Sequence, residues 1–235
     1  MERNELVSLL ADIILNIACD HPLRVAIDGV DAAGKTCLAE ELARFLEAEH
    51  TRQIIQASVD GFHNPRAIRR GQGSLSPEGF YRDSYNYPTL IRSLLAPLGP
   101  GGNRRFRTAA FDYRRDAPLP AEPRQAQEDA ILLMDGIFLL RPELRQHWDL
   151  SIFLHADFEQ TLPRGAVRDA GLFGSQAAAE ERYQKRYIPG QKLYLREARP
   201  LDKADIVIDN NTIHKPRLIK ISPTIAQENT QFSGT

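Results

Sequence analysis

Apolar residues along the chain follow two patterns. Five nearly unbroken runs, at residues 23–28 (LRVAID), 53–60 (QIIQASVD), 130–135 (AILLMD), 150–155 (LSIFLH) and 204–209 (ADIVID), read as strands covered on both faces. Around them the spacing changes to helical. Leu6, Leu9, Leu10, Ile13, Ile14 and Ile17 mark one amphipathic helix, and residues 37–50 (CLAEELARFLEAEH) mark another directly behind the first run. Strands alternating with helices predict an α/β fold with a five-stranded parallel sheet flanked by helices, which holds ligands at the C-terminal ends of its strands. Residues 1–210 read as a single domain. Glycines and prolines make residues 95–105 a loop, and residues 211–235 form a polar tail to which the pattern assigns no role.

Composition narrows the classes of function. The formal net charge is -1, so no global field gathers nucleic acid or an anionic membrane surface, and any recognition of anions is local. Cys19 and Cys37 have neither metal nor redox spacing, which suits a reducing cytosol. Glu2, Arg3, Glu5 and Asp12 interrupt the apolar N-terminus, which is neither a signal peptide nor a membrane span. His21, His50, His147, His155 and His214 form no metal spacing and read as structural.

The chemistry is concentrated in residues 27–36 (IDGVDAAGKT), where Gly29 to Thr36 fits G-x-x-x-x-G-K-[ST], the Walker A P-loop, between a strand and a helix. Glycines let successive N–H groups converge on phosphate oxygens, and the helix N-terminus adds its dipole. The expected phosphate-binding residues are Gly29, Asp31, Ala32, Ala33, Gly34, Lys35, Thr36 and Cys37. Lys35 is expected to reach the β and γ phosphates and to serve catalysis, and the Thr36 hydroxyl to ligate Mg²⁺. ATP and Mg²⁺ are therefore the expected cofactors. No guanine-reading N-K-x-D follows a strand, because the nearest sequence, DKAD at 202–205, precedes its strand; this disfavours a GTPase switch.

Beyond the P-loop, the chain carries DGFH after the second strand, DSYNYPTL, DGIF after the third strand, and RYIPGQKLY ahead of ADIVID. In this order, over about residues 23–210, it resembles the uridine kinase, phosphoribulokinase and pantothenate kinase group of P-loop kinases. The resemblance implies the P-loop NTPase fold with a lid and a substrate-covering hairpin. It makes Asp60 the base that takes the proton of the acceptor hydroxyl. A carboxylate ending a strand beside the P-loop strand independently points at the γ-phosphate, and positioning matters more than base strength in a loose transition state. By the same resemblance Asp135 lies near the magnesium, and Asp83, Tyr85 and Asn86 hold acceptor hydroxyls. The hairpin at 109–118 covers a pyrimidine with Phe111, Tyr113 and Arg114, while Arg164 and Arg168 clamp the triphosphate from the lid. His63, beside Asp60, either touches substrate or lies on the surface.

Three departures bear on specificity. Asn86 stands where uridine kinases typically carry aspartate, Arg114, Arg115 and Asp116 where they supply histidine, and GLFGSQ where relatives show a basic RGR-like stretch. Arg182 and Arg186 are the alternative clamp. The expected reaction is transfer of the γ-phosphoryl group of ATP to a primary hydroxyl, foremost the 5′-hydroxyl of a nucleoside, with pantothenate or another small polyol as the alternative acceptor. The expected partner is thus a small molecule, with no membrane; homo-oligomers are compatible with the sequence. A rival of another class is a regulatory nucleotide-binding or nucleic-acid-associated protein. It would use Arg66, Arg69, Arg70, Arg104, Arg105, Arg107, Arg114 and Arg115, interleaved with Phe106, Phe111 and Tyr113, as a basic surface. Near-neutral charge and Asp60 make nucleic acid the unlikelier partner.

Overall fold

Each of the five apolar runs becomes a parallel strand in the computed structural model, which describes residues 1–120 and 122–230. These are β1 (Leu23–Gly29), β2 (Ile54–Ser58), β3 (Ile131–Gly136), β4 (Leu150–His155) and β5 (Ile206–Asp209). A sixth strand, β6 (Arg217–Ile221), joins the edge antiparallel to β5, giving the order β6-β5-β4-β1-β3-β2. The polar segment after residue 210 thus continues the sheet at least to Ile221 and then forms a helix at Pro223–Thr230. Its sequence hid the strand because an edge strand buries only part of its surface and needs few apolar residues. Residues 231–235 of the expected tail lie outside the described residues.

The strand alternation divides the interior between the two faces of the sheet. Val25 and Ile27 of β1 and Leu133 of β3 pack with α1 (Arg3–Asn16) and α2 (Lys35–Glu49), through Leu6, Leu10 and Ile14 of the first helix and Leu38, Leu42 and Leu46 of the second. Ala26, Leu132 and Met134 face the other way, onto Tyr81, Leu90, Phe138 and Tyr194. Both faces are covered, which is why the strands could be read as continuous apolar runs.

β1 lies between β3 and β4, both parallel to it, so the connections leaving its C-terminal end diverge to either side and open a crevice there. Four elements surround that crevice. Helix α3 (Arg66–Arg69) follows β2; a two-stranded hairpin pairs Phe111–Asp112 with Ala117–Pro118; a long helix, α4 (Phe158–Phe173), follows β4; and α5 (Ile188–Ala198) returns toward β5. No helix among the described residues is long and apolar enough to cross a membrane. Cys19 and Cys37 are both free and exposed.

Candidate active site

The loop after β1 is shaped by its glycines. Gly29 has φ of 155°, and a Cβ there would meet the Leu154 carbonyl oxygen of β4 at 2.4 Å, so only glycine lets the chain turn this close to the neighbouring strand. Gly34, with φ of 97°, is the left-handed N-cap of α2. Side chains brace the loop between them. Asn210 Nδ2 donates to the Ala33 carbonyl at 2.7 Å, and Lys35 Nζ donates to the Val30 carbonyl at 2.8 Å. Gln191 of α5 holds Asp31 twice: its Oε1 accepts from the Asp31 N–H at 2.6 Å and its Nε2 donates to Asp31 Oδ2 at 3.2 Å. Beneath the loop, Asp28 is fully buried and accepts from the Tyr194 hydroxyl and from the Gly29 and Leu140 N–H groups. Burial raises its carboxyl to about 6, against the pull of those donors and of Lys35. Burial also pushes the Lys35 ammonium down, while the carboxylates of Asp31, Asp28 and Asp135 draw it back up.

Adjacent strands supply the oxygen ligands. Asp135 is the penultimate residue of β3, and the Thr36 hydroxyl at the start of α2 donates to its Oδ2 at 2.7 Å. Burial raises the Asp135 carboxyl, while Thr36, Lys35 and the Ser58 hydroxyl stabilise its anion. One carboxylate and two hydroxyls are hard oxygen donors of the kind Mg²⁺ takes alongside water and phosphate oxygens, so the residues fit that ion. The described residues contain no cluster of three His, Cys, Asp or Glu that would build a cage for a metal.

β2 ends in a 3₁₀ turn, Val59–Phe62, that lifts Asp60 out of the sheet. Asp60 is more than half exposed, and its Oδ1 accepts from the Tyr85 hydroxyl at 3.2 Å. His63 folds back over the turn. Its Nδ1 lies 2.9 Å from the Asp60 carbonyl, and its ring stacks between Tyr85 and Tyr113 with centroids at 4.6 and 4.8 Å. Burial lowers the His63 pKa, partly offset by Asp60. With Nδ1–H donating to the carbonyl, the neutral ring carries its lone pair on Nε2.

From the lid side, Arg168 of α4 is paired with Asp169 at 2.8 Å and shares it with the Tyr183 hydroxyl. Tyr183 packs under the helix at Gly165, where a Cβ would stand 2.4 Å from the ring. Together these groups enclose a cleft of about 990 Å³, lined by Lys35, Thr36, Asp135, Asp60, His63, Tyr85, Tyr113, Arg114 and Arg168 among others. Seven arginines line it in all.

No family model matches the chain. Uridine-cytidine kinase B of Dictyostelium discoideum is 24% identical over 189 residues, 80% of this chain and 74% of that protein. A structure described as a possible uridine kinase from Bacillus stearothermophilus superposes with a TM-score of 0.69 at 21% identity, covering 88% of this chain and 99% of the other. Phosphoribulokinase from Rhodobacter spheroides superposes with a TM-score of 0.52 at 16% identity, over 81% and 70% of the two chains.

In sequence and in fold the chain resembles the uridine kinase and phosphoribulokinase group of P-loop kinases.

These similarities support a phosphotransferase acting on a hydroxyl group. The parallel-dominated sheet flanked by helices is the one the resemblance implied, with a sixth, antiparallel strand added at its edge. Several expected site residues do not enter the cleft, however. Asn86 caps the short helix Tyr87–Leu90, its Oδ1 accepting from the Thr89 N–H at 3.0 Å. Asp83 accepts from Gln72 Nε2 at 2.7 Å, and Phe111 is buried in the hairpin base; neither lines the cleft. Arg164 turns to the backbone, donating to the carbonyls of Asn211 at 2.6 Å and Asn210 at 3.4 Å, so only Arg168 of that pair faces the cleft. Cys37 is exposed at the first turn of α2 and does not line the cleft. Arg182 and Arg186 do line it, but Arg186 is committed to the carbonyls of Arg69, Gly73, Ser74 and Ser76. The arginines grouped as a basic surface divide: Arg66, Arg69, Arg70 and Arg114 line the main cleft, whereas Arg107 lines a separate cavity of about 220 Å³.

Sequence reasoning missed Gln191 as the brace of the P-loop and Asp28 as its buried anchor. One signal was available for each. Gln191 is a polar residue on the α5 face that otherwise buries Gly190, Tyr194 and Ala198, and Asp28 ends an apolar run.

Proposed function

We propose that this kinase transfers the γ-phosphoryl group of ATP to a hydroxyl of a small metabolite in a Mg²⁺-dependent reaction, with Asp60 as the base. One observation carries the reading: Lys35 and Thr36 after β1, Asp135 at the end of β3 and Asp60 just beyond β2 face a single cleft. The P-loop amides and Lys35 would bind the β and γ phosphates, for which Lys35 must exchange the Val30 carbonyl for phosphate oxygens. Thr36 and Asp135 would hold Mg²⁺, which when bound neutralises charge on the phosphates. Asp60 accepts the proton of the acceptor hydroxyl as that oxygen attacks, with the Tyr85 hydroxyl fixing the carboxylate's orientation. Arg168 is placed to meet charge developing on the transferred group, and the lid helix to exclude water.

A nucleoside 5′-hydroxyl is the acceptor that the uridine-cytidine kinase relative supports. A small polyol or hydroxy acid is the second reading, favoured because Asn86 and Phe111 stay out of the cleft while arginines line the same cleft as Asp60. The test is ADP release from Mg-ATP across both acceptor classes, with product mass confirmed, in wild type and Asp60→Asn. The variant is expected to bind nucleotide as wild type does and to turn over about 10²-fold more slowly or worse. Equal turnover would remove Asp60 as the base.

A further inference from the structure

The acceptor end of the cleft holds more positive charge than its own structure uses. Arg69 is satisfied internally: it donates to the Asn64 carbonyl at 2.7 Å and contacts Asp116 Oδ1 at 3.4 Å. Asp116 is in turn occupied by the Arg66 backbone N–H at 2.7 Å, a bond that docks the hairpin tip onto α3. Asp112 pairs with Arg115 at 3.6 Å, accepts from the backbone N–H groups of Arg114 and Arg115, and offsets part of the Arg114 charge. After this pairing the guanidinium groups of Arg66 and Arg70 have no acceptor among the described residues, and that of Arg114 has only the neighbouring Tyr113 hydroxyl at 3.4 Å. Arg66 and Arg70 lie four residues apart, a spacing at which like charges on a helical turn repel. Both line the cleft with Arg114; Asp60 shares this cleft with them and is needed there as an anion. Arg186 adds to the positive field there; burial first, and then the charges of Arg182, Arg70 and Arg69, push its pKa down.

We infer that the acceptor is itself an anion, bearing a carboxylate or phosphate that docks on Arg66, Arg70 and Arg114 while its hydroxyl faces Asp60. This rests on the kinase reading above and refines it, because a nucleoside carries no charge to meet these groups. Guanidinium groups suit such oxyanions through paired N–H donors. Three exposed guanidinium groups lining one cleft, none of them bonded to a carboxylate among the described residues, are an arrangement an anionic ligand completes.

The first experiment compares kcat/KM for anionic acceptors with uncharged counterparts: D-glycerate and glycerol 3-phosphate against glycerol, fructose 6-phosphate against fructose, and uridine. The carboxylate and phosphate arms identify which oxyanion is preferred. An anionic acceptor is expected to exceed its uncharged counterpart by about 10²-fold, through KM, and the ratio to collapse by about tenfold or more in Arg66→Gln/Arg70→Gln. The Arg115→Gln control, altering an arginine outside the cleft, is expected to keep the wild-type ratio. Turnover of uridine or glycerol with no gain from charge would overturn the inference and leave the kinase reading intact. Absence of ADP release with every acceptor would count against the kinase reading instead. In that event a second measurement still decides the inference: inorganic phosphate titrated against protein saturated with Mg²⁺ and a non-hydrolysable ATP analogue, followed by the melting temperature. Saturable stabilisation that needs about tenfold more phosphate in the double variant supports the inference. No stabilisation of wild type, or the same response in both proteins, overturns it.

Discussion

Gln191→Glu tests how the P-loop is held. The wild-type amide accepts from the Asp31 N–H at 2.6 Å and donates to Asp31 Oδ2 at 3.2 Å, and Gln191 is almost wholly buried. Glutamate keeps the size and the accepting oxygen but replaces the donor with a second carboxylate oxygen about 3 Å from Asp31. Two unit charges at that separation repel by roughly 5 kcal/mol at an effective dielectric of 20. The protein escapes this by protonating one carboxyl. At pH 7 that costs about 3.7 kcal/mol from an ordinary glutamate pKa, so protonation sets the ceiling. Because a protonated carboxyl can restore the donor, the net loss is about 3–4 kcal/mol at pH 7, or roughly 6–16 °C in melting temperature for a chain of this size. The sign with pH follows from linkage. The folded variant has a raised carboxyl pKa and binds more protons than the unfolded chain, so its deficit grows from about pH 4.5 upward and shrinks on acidification, to about 1 kcal/mol at pH 5. Thermal or urea unfolding of both proteins between pH 5 and 8 measures this. A deficit that does not vary with pH, or no deficit at pH 8, would refute the claim that Gln191 braces Asp31 by donating to its carboxylate.

Other expectations separate structural roles from functional ones. Arg164→Ala should cost about 1–3 kcal/mol of stability, for two charged hydrogen bonds to the Asn210 and Asn211 carbonyls, while leaving the KM for ATP within about twofold; urea unfolding and steady-state kinetics check it, and a large rise in KM would return Arg164 to the clamp. Asp28 has its carboxyl raised from an ordinary 3.8 to about 6, so the native state takes up the proton first and wild-type stability falls as pH rises through that window, by about 3 kcal/mol at 1.36 kcal/mol per unit. Asp28→Asn should lack this component, so that the stability difference between the two proteins changes across pH 4 to 7; a constant difference would show that Asp28 titrates normally.

Much of the fold was legible because both faces of the sheet are covered: burial demands near-continuous apolar runs, and all five parallel strands announced themselves this way. β6 did not, since Arg217–Ile221 is a short edge strand with two basic residues and no fully buried position, so it lacks the continuous apolar run of a covered strand. In the site, Lys35, Thr36, Asp60 and Asp135 were readable because phosphate chemistry restricts the residue types at strand ends. Asn86 and Arg164 stand outside the cleft lining for a different reason. A side-chain amide can cap a helix as readily as it can bind a hydroxyl, and a guanidinium can bond to carbonyls as readily as to phosphate; sequence spacing does not distinguish these uses.

The sequence by itself determined the strand and helix order, the P-loop and the identity of the carboxylates at its side, because each follows from local periodicity or from a motif confined to consecutive residues. Only the tertiary structure decided which arginines face the cleft, that Gln191 and Asp28 hold the P-loop, and that Arg66 and Arg70 are left without partners. Those properties depend on which groups from distant segments consume one another's hydrogen bonds and charge, as Asp116 does for Arg69, and that pairing exists only once the chain has folded.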